Sequence, residues 1–333
     1  MRVYFHKTLT PAMYHGHRVK PPYFEGWYFK LISADESHRY AIIPGVILGA
    51  QGHAFIQVLD GNAGSAAYHR FPLEQFWASQ REFEVRIGES RFTTEAISLK
   101  VATEAGSIEG QLRFENPIPW PVSWRSPGIM GWYAWVPRME CYHGVLSFDH
   151  PIQGALQIDG VHLDFDAGRG YIEKDWGQSF PSAWVWFQSN HFDNVGTSLT
   201  GSVAVIPFLG GAFRGFIVGL WHERRLYRFA TYTGAEIDVL DILPDHVRWV
   251  IVDKEHKLEL IARRATSGAI LGPTRVEMGI RVNETLQGTV EARLETRQGE
   301  VIFEGIGRNA GLEVQGDLDR LQSFQPIKSD FRR

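Results

Sequence analysis

The sequence predicts an all-β protein made of two antiparallel β domains, and three observations carry that expectation. First, runs with period-2 alternation recur along the 333 residues. They include "HAFIQVLDG" (53–61), "EFEVRIGESRFTTEAISLKV" (82–101), "GSIEGQLRFEN" (106–116) and "HGVLSFDHPIQGALQIDG" (143–160), and the second half continues with "SLTGSVAVIPF" and "HVRWVIVDKEHKLELIARR". Such alternation sends successive side chains to opposite faces of a strand. Second, Gly, Asn and Asp turns punctuate these runs at the spacing of barrels or sandwiches. Third, helical patterns are scarce. The best short candidate is "PLEQFWASQ" (72–80), with Pro72 at a first-turn position.

Two domains follow from length and from an internal echo. The chain exceeds one ordinary small domain. "YFEGWYFKLIS" begins near residue 23 and "YIEKDWGQSFPSAWVWFQSNHF" at 171, each a Tyr-x-Glu followed by a Trp-rich strand. With the turn-rich "DGVHLDFDAGRG" between them, the division expected is residues 1–165 and 166–333.

Composition narrows the function. Hydrophobic residues at 44% and charged residues at 22% mark a globular protein. A net charge of −4 offers nothing to nucleic acid, and no polybasic cluster marks anionic membrane. The single cysteine, Cys141, rules out a disulfide framework or a multi-cysteine zinc site. The N-terminus lacks the apolar run of a signal peptide, and no stretch approaches the ~18 apolar residues of a membrane span, so a cytoplasmic protein is expected. Nucleotide-binding glycine loops, GxSxG and HExxH are absent. His15 and His17 form an H-x-H pair without a third ligand nearby in sequence. No metal and no cofactor is therefore expected.

Three stretches set lone polar groups among rings. In "PPYFEGWYFKLIS" (21–33), Tyr23, Glu25, Trp27, Phe29 and Leu31 share one strand face, and Phe24, Gly26, Tyr28, Lys30 and Ile32 the other. In "GWYAWVPRMECYHGVLSF" (131–148), Arg138, Glu140 and Tyr142 share a face, with His143 opposite. In "GYIEKDWGQSFPSAWVWFQSNHF" (170–192), Glu173 and Asp175 share a face, and Trp184, Trp186, Gln188, Asn190 and Phe192 share another. Each has a plainer reading: Glu25 pairs with an arginine such as Arg138, Glu173 with Lys174 or Arg169, and the amides satisfy backbone groups at a strand end. Together the stretches read as the wall of a ligand cavity.

"YFEGWYFKL", "HAFIQVLDG", "FPLEQF", the Met-Glu-Cys-x-His segment and "YIEKDWGQSFPSAWVWFQSN" resemble the tocopherol cyclase family from about residue 20 to beyond 190, and more weakly to the C-terminus. Without a plastid-type N-terminal extension, the chain is similar to a bacterial-type member. The resemblance implies two lipocalin-like antiparallel β-barrel domains packed together. It also implies closure of a chromanol ring on a prenylated hydroquinone, by alkene protonation and capture of the tertiary cation by the ring hydroxyl.

That chemistry needs a carboxyl kept protonated by apolar surroundings, rings to stabilise a cation, and an apolar groove with a polar end. The proton donor is expected among Glu25, Glu173, Asp175 and Glu140. Tyr142, His143, Gln188 and Asn190 are the candidates for the headgroup, and Trp27, Trp184 and Trp186 for the cation-facing wall. The partner expected is a lipophilic small molecule, with peripheral membrane contact as an option for its access. Two alternatives stay open: a non-catalytic carrier of a lipophilic quinone, terpenoid or fatty acid, and a hydratase that traps the same cation with water.

Overall fold

The computed structural model describes residues 2–208 and 210–324. Two large antiparallel sheets dominate. The first contains β1 (Tyr23–Ile32), β2 (Arg39–Leu48), β3 (His53–Asp60), β4 (Ser65–Phe71), β5 (Phe76–Ala78), β6 (Glu84–Ile87), β7 (Ser90–Thr93), β8 (Ala96–Thr103), β9 (Gly106–Phe114), β10 (Cys141–Ile158), β11 (Val161–Asp164) and β12 (Gly168–Gly177). The second contains β13 (Ala183–Ser189), β14 (Ser198–Phe208), β15 (Gly211–His222), β16 (Arg225–Ala230), β17 (Glu236–Ile242), β18 (His246–Val252), β19 (His256–Arg263), β20 (Gly268–Pro273), β21 (Met278–Thr296) and β22 (Val301–Gly316). Short helices α1 (Arg2–Thr8) and α2 (Leu318–Ser323) flank them.

Strand order in the first sheet is β4-β3-β2-β1-β12-β10-β9-β8-β7-β6-β5, with β11 beside β10. In the second it is β16-β15-β14-β13-β22-β21-β19-β18-β17, with β20 beside β21. Each sheet curls around its own core, and ring contacts show it. Phe29 on β1 and Phe92 on β7 are five ladder steps apart, roughly 24 Å in a flat sheet. Their centroids are 6.0 Å apart. Phe216 on β15 and Trp249 on β18, six steps apart, meet at 6.1 Å. The all-β, two-sheet architecture thus matches the expectation. Among the described residues no ladder joins the two ends of either sheet, so each is a strongly curled sheet rather than a barrel closed by hydrogen bonds.

The chain groups into one unit of residues 1–180 and 265–287 and another of 181–264 and 288–333. This differs from a division at 165/166, because β12 is laddered between β1 and β10 in the first sheet. The two Tyr-x-Glu segments are therefore neighbours in one sheet rather than the starts of two domains. Residues 265–287 join the first unit through polar clamps. The Gln57 amide donates to the Leu271 carbonyl at 2.8 Å and accepts from its N–H at 2.7 Å, and Gln287 Nε2 donates to the Gly61 carbonyl at 2.6 Å.

Two local expectations shift. Residues 72–80 make one 3-10 turn, Leu73–Gln75, and then β5, in which Ala78 is buried and Trp77 exposed. The 131–148 run does not start as a strand. Gly128–Trp135 is 3-10 helix with a break at Gly131 (φ 57°), and β10 begins at Cys141.

Phe29 packs against Phe83, Phe92 and Phe114, joining distant parts of the first sheet. Phe29→Ala is expected to cost about 3–5 kcal/mol in urea unfolding. A loss under about 1 kcal/mol would show that the curl does not depend on this contact.

Candidate active site

β1 and β12 pair with Glu25 opposite Trp176, Trp27 opposite Lys174 and Tyr28 opposite Glu173, and β10 continues with Tyr142 opposite Trp176 and His143 opposite Asp175. Because strand side chains alternate, these three strands present two different chemistries.

The face toward the core holds Glu25, Trp27, Phe29, Lys174, Trp176 and Tyr142. Glu25 and Lys174 are fully buried, their charged atoms 2.6 Å apart. The Glu25 carboxylate also accepts from the Tyr23 hydroxyl, from His15 N–H at 2.9 Å and from Gly16 N–H at 3.1 Å. Lys174 Nζ donates to the carbonyls of Pro11 (2.8 Å) and Met13, and to His15 Nδ1 at 2.7 Å. The His15 ring stacks on Trp176, 4.5 Å between centroids. Burial pushes both charged groups toward their neutral forms. At Glu25 the Lys174 ammonium and the hydrogen bonds outweigh that, and the carboxyl is held down to about 2. At Lys174 burial outweighs the attraction and the amine is lowered to about 8. The acceptors around Nζ outnumber its three N–H groups, so the ammonium serves more of them than a neutral amine would, which favours the charged pair near neutral pH.

Glu25 therefore takes the paired, ionised state among those open to a buried carboxylate, and in that state it has no proton to give. Its partner is Lys174 of the second motif rather than an arginine such as Arg138. The rings around it do face a cation, but a resident one. Lys174 Nζ lies 5.2 Å from the Trp27 ring centroid and 4.5 Å from that of Trp176. Trp27 is fully buried and stacked on Phe83 at 5.3 Å, which leaves it no face for a substrate.

The opposite face of the same strands carries Tyr28, Lys30, Tyr171, Glu173, Asp175 and His143, with Glu284 of β21 laid against it. The Tyr28 hydroxyl donates to Glu284, and the Tyr171 hydroxyl donates to Glu173 at 2.5 Å. His143 lies between two carboxylates, with Nδ1 2.8 Å from Asp175 and Nε2 3.6 Å from Glu173. Accessibility falls along this row: the side chains of Asp175, His143 and Glu173 are 29%, 14% and 6% exposed. Lys30 is fully buried, and desolvation lowers its amine to about 7 against the pull of the Glu284 and Glu173 carboxylates. One donor atom from each of His143, Glu173 and Asp175 lies within 4.8 Å of the others, so these three can hold a divalent ion. In the arrangement present the two ring nitrogens face two different carboxylates, Nδ1 within hydrogen-bond distance of Asp175 and Nε2 beyond it from Glu173.

The remaining expected residues lie elsewhere. Glu140 accepts from Ser179 Oγ at 3.1 Å, 3.9 Å from Arg275, and burial raises its carboxyl. The Tyr142 hydroxyl donates to the Val136 carbonyl at 2.6 Å and its ring stacks on Trp176. In the other unit Trp184, Trp186 and Gln188 are buried on the β13 face opposite Val185 and Phe187, which join the core, and Asn190 is buried just past the strand. Trp184 Nε1 donates to Glu313 at 2.6 Å. Phe192, expected on the same face, packs into the core, because the strand ends at Ser189. The sequence reading missed Tyr28, Lys30, Tyr171 and Glu284 as site residues. A lysine between Phe29 and Leu31 in an apolar strand was the signal for Lys30.

A family model described as tocopherol cyclase-like matches residues 21–316, a range that contains every residue of this polar face. The chain belongs to the tocopherol cyclase-like family. Among relatives in that family, "Tocopherol cyclase, chloroplastic" of Zea mays is 24% identical over 371 residues, covering 91% of this chain and 77% of the maize protein. Solved structures share the fold. CghA has a TM-score of 0.57 at 12% identity, covering 90% of each chain. Kievitone hydratase from Nectria haematococca has a TM-score of 0.50 at 10% identity, covering 91% of this chain and 94% of that one. No helix among the described residues is long and apolar enough to cross a membrane.

Lys174→Met leaves the Glu25 carboxylate buried without its cation. It is expected to cost about 3–5 kcal/mol at pH 7 by denaturant unfolding. Because the folded pKa of Glu25 is depressed from 4.5 to about 2, its stabilisation is complete above pH 4.5 and is lost as pH falls toward 2. Glu25→Gln should flatten the fall in stability across that window. An unchanged slope would mean that Glu25 is not held ionised by this pair.

Proposed function

We propose that the protein is a cyclase that closes a chromanol ring on a prenylated hydroquinone, with Glu173 as the proton donor. The observation that carries this reading is the row Asp175–His143–Glu173 on the strand face away from the core, in a chain of the tocopherol cyclase-like family. The role falls to Glu173 rather than Glu25, since Glu25 is held ionised by Lys174 and two backbone N–H groups, whereas Glu173 lies beside His143, which contacts the partly exposed Asp175.

Glu173 is buried, accepts the Tyr171 hydroxyl and acts with Glu284 on the Lys30 amine. The Glu173 carboxyl gives its proton to the less substituted alkene carbon, forming a C–H bond and a tertiary cation. A lone pair of the phenol oxygen forms the C–O bond, and the phenolic proton is released. His143 returns a proton to Glu173 through Nε2, with Asp175 holding Nδ1 and meeting solvent. Protons and electrons balance, and the step is redox neutral. Tyr28, Lys30 and Glu284 form the polar end for the hydroquinone. A cytoplasmic location is part of the same proposal.

Turnover of a prenylated hydroquinone tests it. Glu173→Gln is expected to lower kcat about 10²–10⁴-fold with KM little changed. Asp175→Asn is expected to shift the pH profile rather than abolish turnover. Unchanged turnover in Glu173→Gln would remove the donor assignment. A hydrated, uncyclised product would establish the hydratase reading, and binding without turnover by the unaltered protein would establish the carrier.

A further inference from the structure

The first unit carries a cluster of exposed rings that the proposed chemistry does not use. Tyr4 and Phe5 of α1 are 45% and 49% exposed, and Val122, Trp124 and Trp132 are 43%, 69% and 48% exposed. Two of these rings pack on Trp135. Tyr4 and Phe5 contact its indole at 6.1 and 5.2 Å between centroids, and the Tyr4 hydroxyl donates to its carbonyl at 2.7 Å. Trp135 Nε1 in turn donates to the Trp124 carbonyl at 3.0 Å, which ties α1 to the 122–135 segment. Trp132 stacks on Tyr133 at 4.1 Å in the same 3-10 segment. Exposing this many large rings in water is unfavourable unless something covers them.

Charge indicates the partner. Residues 1–24 and 116–139, which supply these rings, contain no aspartate or glutamate, although the whole chain has a net charge of −4. The same stretches carry Arg18, Lys20, Arg125 and Arg138 as exposed cations. The Arg125 guanidinium sits 4.9 Å from the Trp124 ring centroid, so charge and ring reach solvent together. Tyr and Trp with an apolar body and a polar edge suit the headgroup level of a bilayer, and interspersed cations suit anionic headgroups. A protein partner would need no such purge of acidic residues.

We propose that α1 and the 122–135 segment dock on an anionic lipid bilayer. Tyr4, Phe5, Trp124 and Trp132 enter the headgroup–acyl boundary, and Arg125, Arg138, Arg18 and Lys20 face the headgroup charge. This is independent of the reaction assigned above, since the surface needs no substrate.

The experiment is co-sedimentation of the full chain with phosphatidylcholine vesicles, with and without phosphatidylglycerol, across ionic strength. Binding to the phosphatidylglycerol vesicles is expected. It should weaken as salt rises and be at least about tenfold weaker for phosphatidylcholine alone. Trp124→Ala and Trp132→Ala should each weaken partitioning by about tenfold. Both side chains are largely exposed, so thermal unfolding should be unchanged, which separates lost docking from lost folding. Arg125→Glu should weaken binding to the anionic vesicles and leave the weak binding to phosphatidylcholine unchanged. No binding at low salt, equal binding to the two compositions, or wild-type binding by both tryptophan variants would overturn the proposal. Self-association through these rings without vesicle uptake would also overturn it.

Discussion

The buried pair of Glu25 and Lys174 sets what the central strands can do. Two charges in the interior of a curled sheet are tolerable only when they meet, and they meet in the register that sets Glu25 opposite Trp176 and Lys174 opposite Trp27. A slip of β1 by one residue would turn Glu25 outward and Tyr28 inward, and leave Lys174 facing the core without its carboxylate, because strand side chains alternate with period 2. The register that satisfies the inner pair is therefore the one that presents Tyr28, Lys30, Tyr171, Glu173 and Asp175 together on the other face. The pair also gathers the chain ahead of β1. Its unused hydrogen-bonding capacity goes to the backbone of Pro11, Met13, His15 and Gly16, which brings that segment against the core.

One short pattern is used twice with opposite outcomes. In each Tyr-x-Glu the tyrosine hydroxyl donates to the glutamate two residues on, as same-face neighbours on a strand permit. Glu25 faces inward and is held ionised by a lysine and two backbone N–H groups. Glu173 faces the other way, beside a histidine whose second nitrogen contacts a partly exposed aspartate. Identical residue types thus supply a fixed charge on one side and, in the proposed mechanism, a rechargeable acid on the other. The difference lies in what the neighbouring strands bring, not in the motif.

That difference explains what could be read from the sequence. Alternation showed that the protein is all-β, that Glu25 lies among rings, and that Glu173 and Asp175 share a face, since these follow from period 2 within one strand. Partners across the ladder did not follow. His143 lies opposite Asp175 and Lys174 beside Glu25 only because β12 is inserted between β1 and β10, a long-range pairing that no local pattern encodes. The same insertion moved β12 into the first sheet, where the echo at residue 171 had suggested the start of a second domain. Glu284 was hidden for the same reason. "RVNETL" reads as an ordinary strand, and its glutamate gains meaning only from the Tyr28 hydroxyl that reaches it.

The central claim is that this polar face delivers a proton to an alkene carbon and that a phenol oxygen captures the resulting cation. Turnover of a prenylated hydroquinone in D₂O, with the chromanol examined by NMR, tests it most directly. A donor that exchanges with solvent through His143 and Asp175 should leave one deuterium, on a single face, at the ring carbon next to the quaternary oxygen-bearing carbon. A chromanol with no deuterium at that carbon, or with deuterium spread equally over both faces, would contradict enzymic protonation from this site.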